Sequence, residues 1–118
     1  MQPLLDTELT INVPMIKAPT ICGVTIYHVE FNCYVVVITE LDDNPGKSVT
    51  NASEYIATEL KKSAKLSDAD VTWVEHYIYQ GQHEYDKVEY TWNGNKATNP
   101  KWSPLGEDAF KKLIEEEK

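Results

Sequence analysis

Four acidic residues and one histidine are the side chains of this chain best suited to holding a hard metal ion. Glu40, Asp42 and Asp43 follow an apolar run, and Glu75 is followed directly by His76. Groups of carboxylate oxygens are the ligands that Mg²⁺ and Ca²⁺ prefer. One interpretation is therefore a small metal-assisted hydrolase or nuclease that uses Glu40, Asp43, Glu75 and His76. The competing interpretation is a solvent-exposed acidic loop, because the spacing matches neither a calcium loop nor another metal motif.

The segment Gly46-Lys47-Ser48 lies between an apolar run and a helix-like segment, as the end of a phosphate-binding loop would. The first glycine of that motif would fall at position 41, which is Leu41. The aspartates at 42 and 43 would repel phosphate oxygens. Turn formation by Asn-Pro-Gly, followed by a helix cap, explains the segment better. We therefore expect no nucleotide and no other cofactor.

The triplet Glu75-His76-Tyr77 places an acid, a base and a phenol side by side. In a strand, however, neighbouring side chains point to opposite faces. Glu75 and Tyr77 would share one face and His76 would lie on the other, which disfavours a Glu-His catalytic pair. His28 lies among valines and is expected in a sheet, and His83 is expected in a turn.

Aromatic residues crowd two neighbouring predicted strands. Trp73, Tyr77 and Tyr79 alternate with other residues and would share a face with Glu75. One interpretation is a sheet stabilised by cross-strand aromatic pairs. The other is an exposed aromatic surface edged by acids that contacts a protein partner.

The charge composition argues against direct nucleic-acid binding. The chain carries 19 acidic residues and 11 basic ones, a net charge of -8, and every basic residue is lysine. Affinity for nucleic acid comes largely from neutralising phosphates, and arginine is the usual residue for gripping phosphate or guanine. A negatively charged chain without arginine is poorly suited to that task, whereas it would attract a basic protein.

Cys22 and Cys33 match no zinc-binding pattern. If the segments around them form a hairpin, they fall at opposite ends of it, so we expect two free, buried thiols in a reducing compartment. The N-terminal segment has no signal-peptide character and no window approaches a membrane span. The expected location is the cytoplasm.

These residues must be positioned by strands and helices that the sequence pattern indicates. One domain over residues 1–118 is expected, with the order β-β-β-α-β-β-α. The fold class is α+β, a mainly antiparallel five-stranded sheet with two helices on one face. The strands are predicted at 7–13, 24–31, 33–40, 71–79 and 85–92. The helices are predicted from about Asn51 to Lys65 and after an N-cap at Ser103 with Pro104 as its first residue.

The segments from Glu40 to Ala52 and from Trp73 to Tyr77 have a pattern that also occurs in other proteins. This chain resembles a set of small bacterial proteins with an E-L-x-D-N-P-G-x-S-V-T-N-A segment followed by W-x-E-H-Y. No activity is known for these proteins, so the resemblance implies none. It directs attention to the 40–51 loop and to Glu75-His76-Tyr77.

Charge and size together favour a non-enzymatic interaction protein whose acidic surface binds a basic protein partner. The residues predicted to contact that partner are Glu40, Asp42, Asp43, Asn44, Trp73, Glu75, Tyr77 and Tyr79. A role as an inhibitor or nucleic-acid mimic in phage or mobile-element defence would suit such a chain. The alternative is the small metal-assisted hydrolase or nuclease described above.

Overall fold

A computed structural model describes residues 2–12, 19–40, 47–66, 69–79, 81–94 and 96–115. It contains six strands and two helices in the order β-β-β-α-β-β-β-α. The strands are β1 (Leu5–Ile11), β2 (Thr20–Glu30), β3 (Cys33–Glu40), β4 (Asp70–Tyr79), β5 (Gln82–Asn93) and β6 (Lys96–Leu105). The helices are α1 (Lys47–Ser63) and α2 (Glu107–Glu115). The α+β class and the two helices are confirmed.

The six strands form one sheet whose spatial order follows the chain, from β1 at one edge to β6 at the other. The four pairs of strands that follow one another in the chain without a helix between them are antiparallel. The central pair, β3 and β4, is parallel, because α1 carries the chain back across the sheet before β4 begins. The sheet is therefore mixed and six-stranded, and the expected count of five strands was wrong.

The additional strand is β6, in a segment where the sequence pattern predicts a loop leading into a helix. Pro100 and Pro104 lie within it, and Asn99 adopts a left-handed backbone with φ of 52° where the register with β5 shifts. Proline cannot donate to a strand ladder, so it is tolerated mainly in outer strands and at bulges. Ser103 and Pro104 thus belong to β6, and α2 begins at Glu107 instead.

The first helix also begins earlier than expected. It starts at Lys47, four residues before the predicted start at about Asn51. Its buried residues Ala52, Ile56 and Leu60 recur at helical spacing and face the sheet, as the sequence pattern predicts. Lys61 and Lys62 lie in its last turn, where positive charge suits the helix dipole.

The helices cover opposite faces of the sheet, which corrects the expectation that both lie on one face. The α1 face holds the larger core, which includes Val24, Ile26, Val36, Ile38, Trp73 and Val88. The α2 face holds a smaller cluster in which Phe110, Leu113 and Ile114 pack against Val35, Val37 and Val74. Continuous apolar runs such as Tyr34 to Ile38 are explained by this arrangement, because a strand covered on both sides buries every residue.

Turn residues and cysteines lie where the sequence indicates. Asn32 takes the left-handed conformation, with φ of 57°, in the short β2–β3 turn, and Gly94 has φ of 64° after β5. Asparagine and glycine are the residues that adopt this conformation most readily.

Cys22 pairs with Glu40 and Cys33 with Glu30, at opposite ends of the β2–β3 hairpin. Cys22 and Cys33 form no disulfide bond with each other; Cys22 is buried and Cys33 is half-buried.

Candidate functional site

The residues of the predicted partner surface fall into three groups. Asp42, Asp43 and Asn44 lie outside the described residues, so their predicted role stays a prediction. Glu40 ends β3 and Tyr79 ends β4, and only their backbone is described. The other three predicted residues, Trp73, Glu75 and Tyr77, lie in β4 with fully described side chains.

These three side chains are buried, not exposed. Trp73 and Glu75 are 1% exposed and Tyr77 is 8% exposed. They alternate along β4 and point to the α1 face, where Trp73 belongs to the larger core. The expectation of an exposed aromatic surface there was wrong, because α1 and the neighbouring strands cover this face. A partner docked on this structure would not touch them.

Glu75 and Tyr77 are joined by a hydrogen bond. The Tyr77 hydroxyl donates to Glu75 Oε2, and both groups are buried. A carboxylate out of water needs such donors, because burial without hydrogen bonds is costly. Burial also raises the pKa of the nearby Tyr90 hydroxyl, and the side chain of Ser53 offsets part of that increase. This polar group is built into the contact between α1 and the sheet.

The α1 face also buries the side chain of a lysine. Lys61, in the last turn of α1, is 3% exposed, and its Nζ lies 3.8 Å from the centre of the Trp92 ring. Trp92 in turn contacts Trp73, with ring centres 6.3 Å apart. An ammonium over an indole ring is attracted by the ring's electrons, and the attraction grows when water is excluded. The aromatic residues of β4 and β5 on this face therefore stabilise the fold, as the cross-strand interpretation predicts.

The two residues proposed for a hydrolase whose side chains are described, Glu75 and His76, are not brought to one place. Glu75 points to the α1 face, whereas His76, the next residue, points to the α2 face and stacks on Tyr85. The sheet lies between the two side chains, so they cannot bind the same ion. Within the described ranges, no group of three or more histidine, cysteine, aspartate or glutamate side chains has the geometry of a metal cage.

His76 instead forms a close contact with His83 on the neighbouring strand β5. Its Nε2 lies 2.8 Å from Nδ1 of His83, which is a hydrogen-bond distance. Its Nδ1 lies 3.4 Å from Oγ1 of Thr39 on β3. The sequence pattern does not predict this pair, because it places His83 in a turn. β5 begins at Gln82, and the register pairs His83 with Ile78, diagonal to His76.

The two histidines belong to a row of four aromatic rings that ends at α2. The rings of His83 and His76 lie edge to edge and nearly in one plane, with centres 5.0 Å apart. His76 stacks on Tyr85 at 4.5 Å, and Tyr85 stacks on Phe110 of α2 at 4.4 Å. Burial and the neighbouring His83 lower the pKa of His76, while Glu107 opposes that shift. Burial, reinforced by Glu107, raises the pKa of Tyr85. A neutral His76 and a protonated Tyr85 are therefore the favoured forms near neutral pH.

The two edges of the sheet differ in how they are protected. β6 carries two prolines, the Asn99 irregularity and the lysines at 96 and 101, all of which discourage pairing with another strand. β1 is seven residues long and contains no proline and no lysine. Asp6 and Glu8 are exposed on its α2 side, and Leu5 is 42% exposed at its start.

An open groove lies near the β6 edge on the α1 face. It has a volume of about 320 Å³ and is lined by Asp86, Trp102, Ser103 and Pro104. Partial burial, together with the negative charge of Glu84, raises the pKa of Asp86. The groove is shallow, and within the described residues no further charged side chain lines it.

Comparisons with protein-family models, with curated proteins and with solved structures find no match for this chain. Within the described residues, neither helix is both long enough and apolar enough to cross a membrane.

Proposed function

We propose that this chain is a non-enzymatic protein-interaction module that binds a basic segment of a partner protein as an added strand along β1. The observation that carries the proposal is the contrast between the two sheet edges. β6 is protected against pairing, while β1 offers an uninterrupted strand. Within the described residues β1 pairs with β2 alone, so the outward amide and carbonyl groups of β1 can accept another strand.

The side chains of β1 indicate what such a segment would look like. Asp6 and Glu8 are exposed on the α2 side, whereas Leu5 and Leu9 alternate with them on the α1 side. Residues directly opposite one another in paired strands share a face and interact. The matching segment therefore alternates basic with apolar residues. The net charge of -8 would attract such a segment from a distance.

A second copy of this chain is a less favourable partner for β1. An antiparallel β1–β1 pair centred on the middle of the strand would place Glu8 opposite Glu8, and like charges directly opposite one another are destabilising. Inhibition of a basic enzyme or mimicry of nucleic acid would follow from the same chemistry. Those narrower roles stay predictions from charge and size.

The test uses a synthetic nine-residue peptide that alternates lysine and valine, with its ends blocked. Calorimetry measures its affinity for the intact chain, and amide hydrogen exchange maps where it protects the backbone. We expect protection of β1, and weaker binding as salt is raised, because exposed charge pairs are screened. A peptide with glutamate in place of lysine is the matched probe and should not bind.

The variant Asp6→Lys/Glu8→Lys should weaken the binding of the lysine peptide by roughly 30-fold. Each exposed pair contributes about 0.5 kcal/mol, and reversal turns two attractions into repulsions of similar size, about 2 kcal/mol in all. Glu54→Lys/Glu115→Lys, which changes two exposed helix residues, is the control and should have little effect. Equal binding of the two peptides, protection away from β1, or a dimer through β1 in sedimentation would each overturn the proposal.

A further inference from the structure

We propose that His76 and His83 form a two-histidine site for a divalent transition metal such as Cu²⁺, Ni²⁺ or Zn²⁺. The site goes beyond the proposed interaction along β1, because it lies on the α2 face between β4 and β5. Its basis is the approach of two ring nitrogens, His76 Nε2 and His83 Nδ1, to 2.8 Å. Imidazole nitrogen is the ligand type that these metals share.

One hydrogen occupies the position that the ion would take. The tautomer that donates from His76 Nδ1 to Thr39 leaves a lone pair on Nε2, which accepts the hydrogen of His83 Nδ1. Exchange of protons with solvent converts His83 to the tautomer that carries its hydrogen on Nε2, without net loss of a proton, and leaves two lone pairs directed at one point. An ion bound there takes the place of the bridging hydrogen, both imidazoles stay neutral, and no oxidation or reduction is involved.

The geometry requires only a small adjustment. Two nitrogens at about 2.0–2.1 Å from a tetrahedral ion are roughly 3.3 Å apart, so the pair must open by about 0.5 Å. His83 is exposed and can supply that movement, and solvent reaches the site from its side. The stack of His76 on Tyr85 keeps the His76 ring in place.

Thr39 supplies the support that metal-binding histidines usually have. A ligating histidine commonly donates its second ring hydrogen to an oxygen, which fixes the tautomer and the ring orientation. Thr39 Oγ1, 3.4 Å from His76 Nδ1, is placed to accept that hydrogen. Thr39 is thus a positioning residue. Within the described ranges no third side chain completes a cage, so water fills the remaining positions.

The third histidine offers a matched comparison. His28 lies in β2 and stacks on Tyr34 with ring centres 5.1 Å apart. Its partner there is a phenol ring, and that ring supplies no second imidazole. The chain therefore contains one paired and one isolated histidine site within a single sheet.

The experiment titrates the full chain at pH 7.5 with CuCl₂, NiCl₂ or ZnCl₂ by calorimetry, with MgCl₂ as the negative control. We expect one ion per chain, with Cu²⁺ tightest and Mg²⁺ silent. His83→Ala and His83→Gln should each weaken binding by at least about 100-fold, because loss of a supporting residue alone costs about 10- to 100-fold. Thr39→Val should weaken it by about tenfold, and His28→Ala should leave it unchanged.

Nuclear magnetic resonance provides a second measurement in the unmodified chain. Substoichiometric Cu²⁺ should broaden the ring signals of His76 and His83 before those of His28. Both thiols remain in every variant, so cysteine binding cannot account for a difference between them. Wild-type affinity in both His83 variants, broadening centred on His28 or a cysteine, or no binding at 1 mM Zn²⁺ would overturn the proposal.

Discussion

The hydrogen bond between Tyr77 and Glu75 allows a direct estimate of what the buried polar group contributes. Tyr77→Phe removes the hydroxyl that donates to Glu75 Oε2 and keeps the ring, which is 8% exposed. Removing the donor leaves a buried acceptor without that hydrogen bond, and such a loss costs about 1.5–3 kcal/mol. With an unfolding entropy of about 2.1 cal/mol/K per residue, the whole chain has about 0.25 kcal/mol/K. We therefore expect the Tm to fall by about 6–12 °C.

Thermal and urea unfolding, followed by circular dichroism, would measure this loss. Tyr55→Phe is the control, because Tyr55 is on α1 with its ring 37% exposed, and its loss of a hydroxyl should cost less than about 0.5 kcal/mol. A double-mutant cycle with Glu75→Gln isolates the pair from the effects of each residue alone. A coupling energy below about 0.5 kcal/mol would refute the view that this bond stabilises the α1 face.

Two further predictions concern other parts of the sheet. Asp86→Asn should raise the Tm at pH 7, and the gain should shrink as the pH falls below about 4. The folded chain raises the pKa of Asp86, so ionisation is harder in the folded state and stability is lost as the pH rises past its ordinary value of 3.8. Phe110→Ala should lower stability by about 1.5–3 kcal/mol, roughly half the cost of a fully buried phenylalanine, because the ring is half-buried against Tyr85. Chemical unfolding measures that loss, and faster hydrogen exchange in α2 should accompany it.

Each of these predictions has a clear contrary result. An Asp86→Asn chain that is equally stable or less stable at pH 7 would show that the carboxylate is well solvated or paired. For Phe110→Ala, Ala109→Gly is the comparison on the exposed side of the same helix. Equal losses in the two variants would show that helix propensity, not the ring stack, decides how α2 is held.

The sequence predicts the strands with strong alternation or long apolar runs, because those patterns arise directly from burial. β3 was predicted with the bounds that the structure has, 33–40, and β4 differs by one residue. The two helix faces, one with Ile56 and Leu60 and one with Phe110 and Leu113, also follow from spacing alone. These elements are local, so a local pattern is sufficient.

The errors arose where the decisive contact is distant in the chain. The strand containing Pro100 reads as a loop until its position at the sheet edge is known. Whether Trp73 and Glu75 are exposed depends on which face of the sheet α1 covers, and the periodicity of the sequence does not reveal that. The His76–His83 pair depends on strand register, which sequence spacing alone leaves open when a turn has several allowed lengths.

The parallel pair at the centre of the sheet has a consequence for how the chain reaches its native state. Four strand pairs close over nearby residues and can form rapidly, whereas β3 meets β4 through contacts such as Cys33 with Asp70, 37 positions along the chain. Without the β3–β4 pair, the sheet would consist of two separate three-stranded ribbons with exposed inner edges. Substitutions on the apolar face of α1 should therefore slow assembly, and the unjoined ribbons would be the species most prone to aggregate.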